Sequence, residues 1–356
     1  MADHDRWMHR CLQLGRLGAG GAAPNPMVGA LLVQDERVLA EGWHKEVGGP
    51  HAEVECLRDF GPQPIPGDAV MYVNLEPCSH QGRTPPCADL LIERGVRHVV
   101  IANADPFPEV SGRGIERLRA AGVDVITGPL EAQARWLNRR FLTSIEQGRP
   151  YIILKWAHSS DGFLDDHGKA AHISSPETDV LVHKWRSEEQ AILVGSRTVI
   201  NDDPQLTVRH IEGRSPLRIV IDRENRAPKT SKLFDGSAPT LLITNRTRGD
   251  VDAEQHVIGT LDDPIDALMG ELHRRSIRSL LVEGGAELLM HFIERGAWDE
   301  ARVITGAPVL GSGTAAPTLA GSPARSTTLE GDRIDFHVRT GSAFSTACAT
   351  QVTIPW

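Results

Sequence analysis

His51, Glu53, Cys78 and Cys87 are the residues of this chain whose types and spacing can do chemistry together. They stand in His51-Ala52-Glu53, in Glu76-Pro77-Cys78 and at Cys87. One imidazole and two thiols suit Zn²⁺, which takes three protein ligands in a catalytic site and keeps a fourth position for water. Such a site generates hydroxide near neutral pH. Glu53 lies too close to His51 in sequence to be an easy fourth ligand and is well placed to carry protons. The alternative is a closed structural zinc knot or unrelated buried cysteines. A fourth ligand at ordinary spacing is missing, and His80 is the only rival for it.

The set resembles that of zinc-dependent nucleobase deaminases, with one departure. Their C-x-x-C is stretched here to Cys78-Ser79-His80-Gln81-Gly82-Arg83-Thr84-Pro85-Pro86-Cys87. A loop pinned at both ends by ligands keeps its side chains near the metal, and this one carries His80 and Arg83. Pro is favoured in the first turn of a helix, so Cys87 is expected at a helix start, where the dipole favours thiolate.

A second constellation lies in Val282-Glu283-Gly284-Gly285-Ala286-Glu287-Leu288. An apolar strand runs into two glycines and then a helix, a geometry in which backbone N–H groups can meet an anion. A tight turn is the plainer reading of Gly-Gly after a strand. Two G-x-G-x-x-A matches carry less. Gly18–Ala23 follows no strand, and Gly311–Ala316 is followed by Pro317 where a helix should open; both read as ordinary loops.

The elements that must hold these residues alternate. A capped helix near Asp3 or Asp5 precedes strands at Val28–Val33 and Val38–Glu41, and a helix begins near His51. A strand at Val70–Asn74 delivers Glu76 and Cys78 from its C-terminal end. A helix after Pro86, a strand at Val99–Ala102, a helix at Ile115–Ala121, a strand at Val123–Thr127 and a helix at Glu131–Leu142 follow. A turn at Gln147-Gly148-Arg149-Pro150 closes this half. Further strands are expected at Tyr151–Leu154, Ala191–Val194, Leu217–Ile221, Thr240–Thr244, Leu280–Glu283 and Ala301–Thr305. Helices are expected at Glu177–Ser187, Pro264–Arg274 and Ala286–Glu294. The class is α/β, in two domains, 1–146 and 150–356, with sites at strand ends and helix starts.

Composition narrows the partners. The chain has 356 residues, enough for two domains, and 40% hydrophobic residues support well-formed cores. A net charge of −9 argues against a broad attraction to nucleic acid or membrane surfaces. Five cysteines, two of them claimed by the zinc set, point to a reducing compartment, with Cys11, Cys56 and Cys348 as inert thiols. No secretory signal is visible at the N-terminus, and a cytoplasmic protein is expected.

HAEVECL, the EPCSHQGRTPPC string and the upstream Asn25-Pro26-Met27-Val28-Gly29 resemble the bifunctional deaminase/reductases of riboflavin biosynthesis, the RibD family. The resemblance implies a cytidine-deaminase-like three-layer domain followed by a dihydrofolate-reductase-like domain. It implies a phosphoribosyl-pyrimidine substrate whose ring amine is hydrolysed off and whose ribosyl group is then reduced to ribityl with NADPH. It makes His51, Cys78 and Cys87 the zinc ligands and Glu53 the proton carrier, with Asn25, His44, His80 and Arg83 on the substrate. In the second half, L-K-x-A-x-S-x-D-G is matched from Leu154, and G-x-x-T-V-x-x-D-x-P-x-L-T-x-R from Gly195. Lys155, Arg186, Leu206, Arg209 and Glu283 become reductase substrate contacts. Ala157, His172, Ser174, Thr198, Asp202, Arg223, Gly284 and Gly285 become cofactor contacts, and either Arg223 or Arg226, both shortly after a strand, is expected at the NADPH 2′-phosphate. The chain departs from the family at His172-Ile173-Ser174-Ser175, where Trp-Ile-Thr-Ser is usual. Asp165-Asp166 also adds negative charge nearby. Two rivals are a deaminase of nucleic acid or free nucleosides, and a deaminase whose second domain serves only binding or assembly.

Overall fold

The computed structural model describes residues 3–79, 85–107, 111–342 and 344. One compact unit ends at Gln147 and a second begins at Gly148. No described helix is long and apolar enough to cross a membrane.

The strands of the first unit are β1 (Gly29–Gln34), β2 (Arg37–Trp43), β3 (Val70–Val73), β4 (His98–Ile101) and β5 (Asp124–Thr127). Their order is β2-β1-β3-β4-β5. β1 runs antiparallel to β2 and β3, while β3, β4 and β5 are parallel. Side chains alternate across a strand, so β1 feeds two cores. Leu31 and Val33 meet Trp7, Met8, Cys11 and Leu137 on one face. Ala30 and Leu32 meet Ala52, Cys56, Leu57, Leu91 and Leu118 on the other. Helices therefore cover both faces, giving three layers.

The expected helix over Glu131–Leu142 is in fact two, Glu131–Leu137 and Arg139–Gln147. Asn138 breaks it. Its Oδ1 accepts the Met27 N–H at 2.7 Å and its Nδ2 donates to the Met27 carbonyl at 3.1 Å. Asn74 grips the same loop, taking the Gly29 N–H at 2.7 Å and giving to Met27 O at 3.0 Å. Periodicity followed the apolar face, which continues across the break.

The second unit is one sheet of nine strands. They are β6 (Tyr151–His158), β7 (Ala191–Gly195), β8 (Leu217–Ile221), β9 (Thr240–Thr244), β10 (Glu254–Val257), β11 (Ser279–Val282), β12 (Glu300–Thr305), β13 (Arg325–Leu329) and β14 (Asp332–Val338). The order is β10-β9-β8-β7-β11-β6-β12-β14-β13. It is parallel from β10 to β12, and β14 is antiparallel to both of its neighbours. Ile152, Leu154 and Trp156 of β6 pack with the helices Pro264–Arg274 and Ala286–Glu294. On the opposite face Trp185 of the helix Pro176–Glu188 packs with Ile304, Ile334 and Phe336. β10, β13, β14 and the helix Ser196–Asp202 go beyond the expected elements. β10 and β13 are edge strands without a fully buried residue, so they lack an apolar signature.

Candidate active sites

Three elements converge in the first unit. His51 is the N-cap of the helix Ala52–Phe60, Cys87 opens the helix Cys87–Glu93, and Cys78 lies just beyond the C-terminal end of β3. His51 Nδ1 is 3.3 Å from Cys87 Sγ and 3.6 Å from Cys78 Sγ, and all three donor atoms lie within 4.8 Å of one another. Zinc at ordinary bond lengths with tetrahedral angles separates an S and an N ligand by roughly 3.5 Å, so the set fits the ion. The Cys87 N–H donates to Cys78 Sγ at 3.3 Å. Hydrogen bonding from Cys87, together with His51, pulls the Cys78 thiol down to about 4, while Cys87, sharing its proton with that thiolate, is pushed up. Glu53, in the first turn after His51, is 3% exposed. Burial, reinforced by the Cys78 charge, raises its carboxyl to about 7, the range of an effective general base. Cys11 and Cys56 are buried, as expected, and burial raises both thiols.

His44 and Asn25 sit beside this set. The His44 ring packs edge-on to His51 with centroids 5.7 Å apart. His44 Nδ1 lies 2.9 Å from the Pro50 carbonyl, which only accepts, so Nδ1 carries the proton and Nε2 faces Asn25 Nδ2 at 3.1 Å. Burial lowers the ring's pKa and keeps it neutral. The glycine-rich turn before Asn25 is small for a steric reason. A Cβ on Gly18 would sit 2.5 Å from His44 O, and one on Gly21 would sit 2.4 Å from Lys45 O.

In the second unit a cleft of about 1040 Å³ follows the C-terminal ends of the parallel strands. At its floor Glu283 receives Arg186 through two bonds of 2.8 Å, and Lys155 Nζ lies 3.6 Å away. Burial would raise the Glu283 carboxyl, but Arg186 and Lys155 hold it down at about 2. Its folded pKa is depressed, so the stability it contributes is complete above the ordinary carboxylate range and is lost as pH falls toward 2. Beyond it, Gly285 is the N-cap of the helix Ala286–Glu294, and the Gly285 N–H donates to Thr198 Oγ1 at 3.1 Å. Ala157, Asp202, Leu206, Arg223 and Gly284 also line the cleft. Burial and Asp165 raise the Asp202 carboxyl.

Residues 150–338 match the family model of the RibD C-terminal domain, and residues 1–103 match the cytidine and deoxycytidylate deaminase zinc-binding region. Riboflavin biosynthesis protein RibD of Aquifex aeolicus is 39% identical over 314 residues, covering 86% of this chain and 88% of the relative. The Escherichia coli protein of the same name is 38% identical over 327 residues, with 86% and 88% covered. The chain belongs to the RibD family. The crystal structure of a diaminohydroxyphosphoribosylaminopyrimidine deaminase/5-amino-6-(5-phosphoribosylamino)uracil reductase from Thermotoga maritima superposes with a TM-score of 0.86 at 32% identity, over 94% of this chain and 97% of that one. The chain is thus a zinc-dependent deaminase joined to an NADPH-dependent reductase, with the two folds expected.

Not every expected site residue is gathered. His80 and Arg83 lie outside the described residues, as does Cys348. His172, Ser174 and Arg209 are absent from the cleft lining. Ser174 Oγ donates to Asp179 at 2.7 Å, next to the Ser175 N-cap. The Arg209 N–H donates to His183 Nδ1 at 3.1 Å, and its guanidinium folds back to Thr207. Asp165 does line the cleft, where its Oδ1 takes the Gly168 N–H at 2.8 Å.

Two positioning residues escaped the sequence reading. Arg218 is fully buried and donates to Gln205 O, Lys232 O and Ala238 O, which fixes the turn bearing Leu206. A lone arginine inside an apolar strand was the available signal. Glu76, 4% exposed, accepts the N–H groups of Asp105, Gly112, Gly114 and Ile115 at 2.8–3.1 Å. Two residues before Cys78, it ties the ligand loop to the segment after β4. Glu76→Ala strands these donors, and we predict a loss of about 3–5 kcal/mol from the first unit. Calorimetric melting checks this, and an unchanged transition would remove the clamp.

Proposed function

We propose that the first unit hydrolyses the ring amine from 2,5-diamino-6-ribosylamino-4(3H)-pyrimidinone 5′-phosphate. The second unit then reduces the ribosyl group of 5-amino-6-(5-phosphoribosylamino)uracil to ribityl. The observation that carries this reading is the convergence of His51, Cys78 and Cys87, with donor atoms within 4.8 Å of one another, and of the buried Glu53 in the helical turn that follows His51.

His51, Cys78 and Cys87 hold zinc, which when bound supplies a Lewis acid and a water acidic near neutrality. Glu53 takes one proton from the attacking water at a carboxylate oxygen and gives it to the pyrimidine ring nitrogen. It then takes the second proton of that water from the new hydroxyl and gives it to the departing amine, which leaves as ammonia. Asn25, with Nδ2 turned to His44, offers Oδ1 to the pyrimidine edge. His80 and Arg83 are assigned to the phosphoribosyl end. In the cleft NADPH supplies the hydride. Lys155, 3.6 Å from the Glu283 carboxylate, orients the opened ribosyl chain, Arg186 and Leu206 serve the substrate, and Arg209, outside the cleft lining, is assigned to it by the family resemblance alone. Ala157, Thr198, Asp202, Gly284 and Gly285, which line the cleft, serve the cofactor, and His172 and Ser174, outside that lining, are assigned to it by the family resemblance alone. Arg223 is tethered to Asn245 and to the Thr260 carbonyl, whereas Arg226 is largely exposed, which favours Arg226 for the 2′-phosphate. The enzyme is read as a cytoplasmic homo-oligomer, dimer or tetramer, with domains 1–146 and 150–356.

Incubating the full chain with the diaminopyrimidinone ribosyl phosphate, with and without NADPH, tests the assignment by product mass. Deaminated product alone is expected without NADPH, and the ribityl product with it. Full deamination by protein stripped of metal would overturn the zinc assignment.

A further inference from the structure

We propose that Leu261 is the apolar cover of the adenine ring of NADPH. This rests on the reading above that the cleft holds the cofactor. Leu261 is 99% exposed, yet it lines the cleft. An exposed leucine alone is unremarkable on a protein surface. What sets this one apart is how its backbone is held and where it stands.

The turn that carries it is fixed on both sides. The Asp262 N–H donates to Gly259 O at 3.2 Å, and the Gly259 N–H donates to Asp262 Oδ2 at 2.7 Å. The Arg223 guanidinium donates to the Thr260 carbonyl. Asp263 then caps the helix Pro264–Arg274 by accepting the Ile265 N–H at 2.8 Å. An apolar side chain is therefore presented to solvent from a hydrogen-bonded turn, with no packing partner among the described residues to account for it.

Its position follows from the sheet. The cleft passes from Lys155 on β6, across the ends of β11, β7, β8 and β9, to the turn after β10. Five inter-strand steps span roughly 24 Å, the scale of an extended dinucleotide. The reacting end is set by Lys155, Arg186 and Glu283, since the hydride must meet the substrate there. The Gly284–Gly285 turn follows β11, one inter-strand step from β6, and Thr198 stands after β7, two steps from it, so the backbone N–H groups that suit a pyrophosphate lie on the reacting side of the cleft. The adenosine half is left for the far end. Arg223, Arg226 and Asn245 there match the polar ribose and ring edge, and Leu261 supplies the exposed apolar surface that a flat ring face requires.

The test uses the full-length protein, its Leu261→Ser and Leu261→Phe variants, and two hydride donors. One donor is NADPH; the other is reduced nicotinamide mononucleotide, which lacks the adenosine half. Leu261→Ser should raise the Kd and KM for NADPH about three- to tenfold, and Leu261→Phe should bring both back to the wild-type values. KM for the mononucleotide should be the same in Leu261→Ser as in wild type. An NADPH Kd within about twofold of wild type in Leu261→Ser, or an equal loss with both donors, overturns the proposal. Thr198→Val separates the two readings. If it weakens NADPH binding and Leu261→Ser does not, the cover role falls and the cleft stands. If neither variant changes the Kd, the cofactor lies elsewhere and both fall.

Discussion

Glu53→Gln should keep about one zinc per chain and lose deamination by about 10²- to 10⁴-fold. The amide matches the carboxylate in shape but cannot accept a proton, so the loss falls on turnover more than on binding. Folding should hold, because burial already penalises the Glu53 charge. A neutral amide at that place relieves the penalty. Reduction of already deaminated substrate should continue at the wild-type rate, since Glu53 lies in the first unit and Lys155 in the second. Metal content by elemental analysis and product mass are the two readouts. Near-normal deamination by a zinc-loaded Glu53→Gln protein would remove the proton-carrier role.

Lys155→Ala should abolish reduction, by about 10²- to 10³-fold, and leave deamination intact, so that the deaminated ribosyl compound accumulates. The argument is geometric. Lys155 is 13% exposed and 3.6 Å from a carboxylate that already takes both arms of Arg186. Glu283 therefore stays paired when Lys155 is lost, and the unit should not unfold. What disappears is the cation at the cleft floor. Mass analysis shows the accumulated compound directly, and a melting temperature near wild type ties the effect to chemistry. Full reduction by the variant would make Lys155 a bystander.

Much of this was legible in the residues, for local reasons. His51 and Cys87 were expected at helix starts because Pro85-Pro86 and the apolar spacing after His51 are short-range signals. Both lie at the first helical turn. Strands such as Ala191–Gly195 and Thr240–Thr244, buried along almost their whole length, announce themselves as unbroken apolar runs. What was hidden depends on distant partners. The Arg186–Glu283 pair joins residues 97 apart, and Glu76 reaches donors up to 39 residues away. Asn138 looked like one more helical residue until its amide met Met27, 111 residues away. Leu261 carries no motif, and only the sheet order brings its turn to the end of the cleft.

The order of strands has a consequence for synthesis. In the first unit β1 pairs with β2 and β3, and β3, β4 and β5 follow as successive neighbours, so the sheet can close as the chain leaves the ribosome. The second unit cannot do this. Its first strand, β6, is central, and the strands flanking it, β11 and β12, lie more than a hundred residues later. Both edges of an apolar strand wait unpaired through that interval. Such long-range parallel pairing is slow and exposes sticky edges. The reductase half is therefore the one whose yield should depend on chaperones, and a ribosome stalled before β11 should display a finished deaminase beside an unfolded tail.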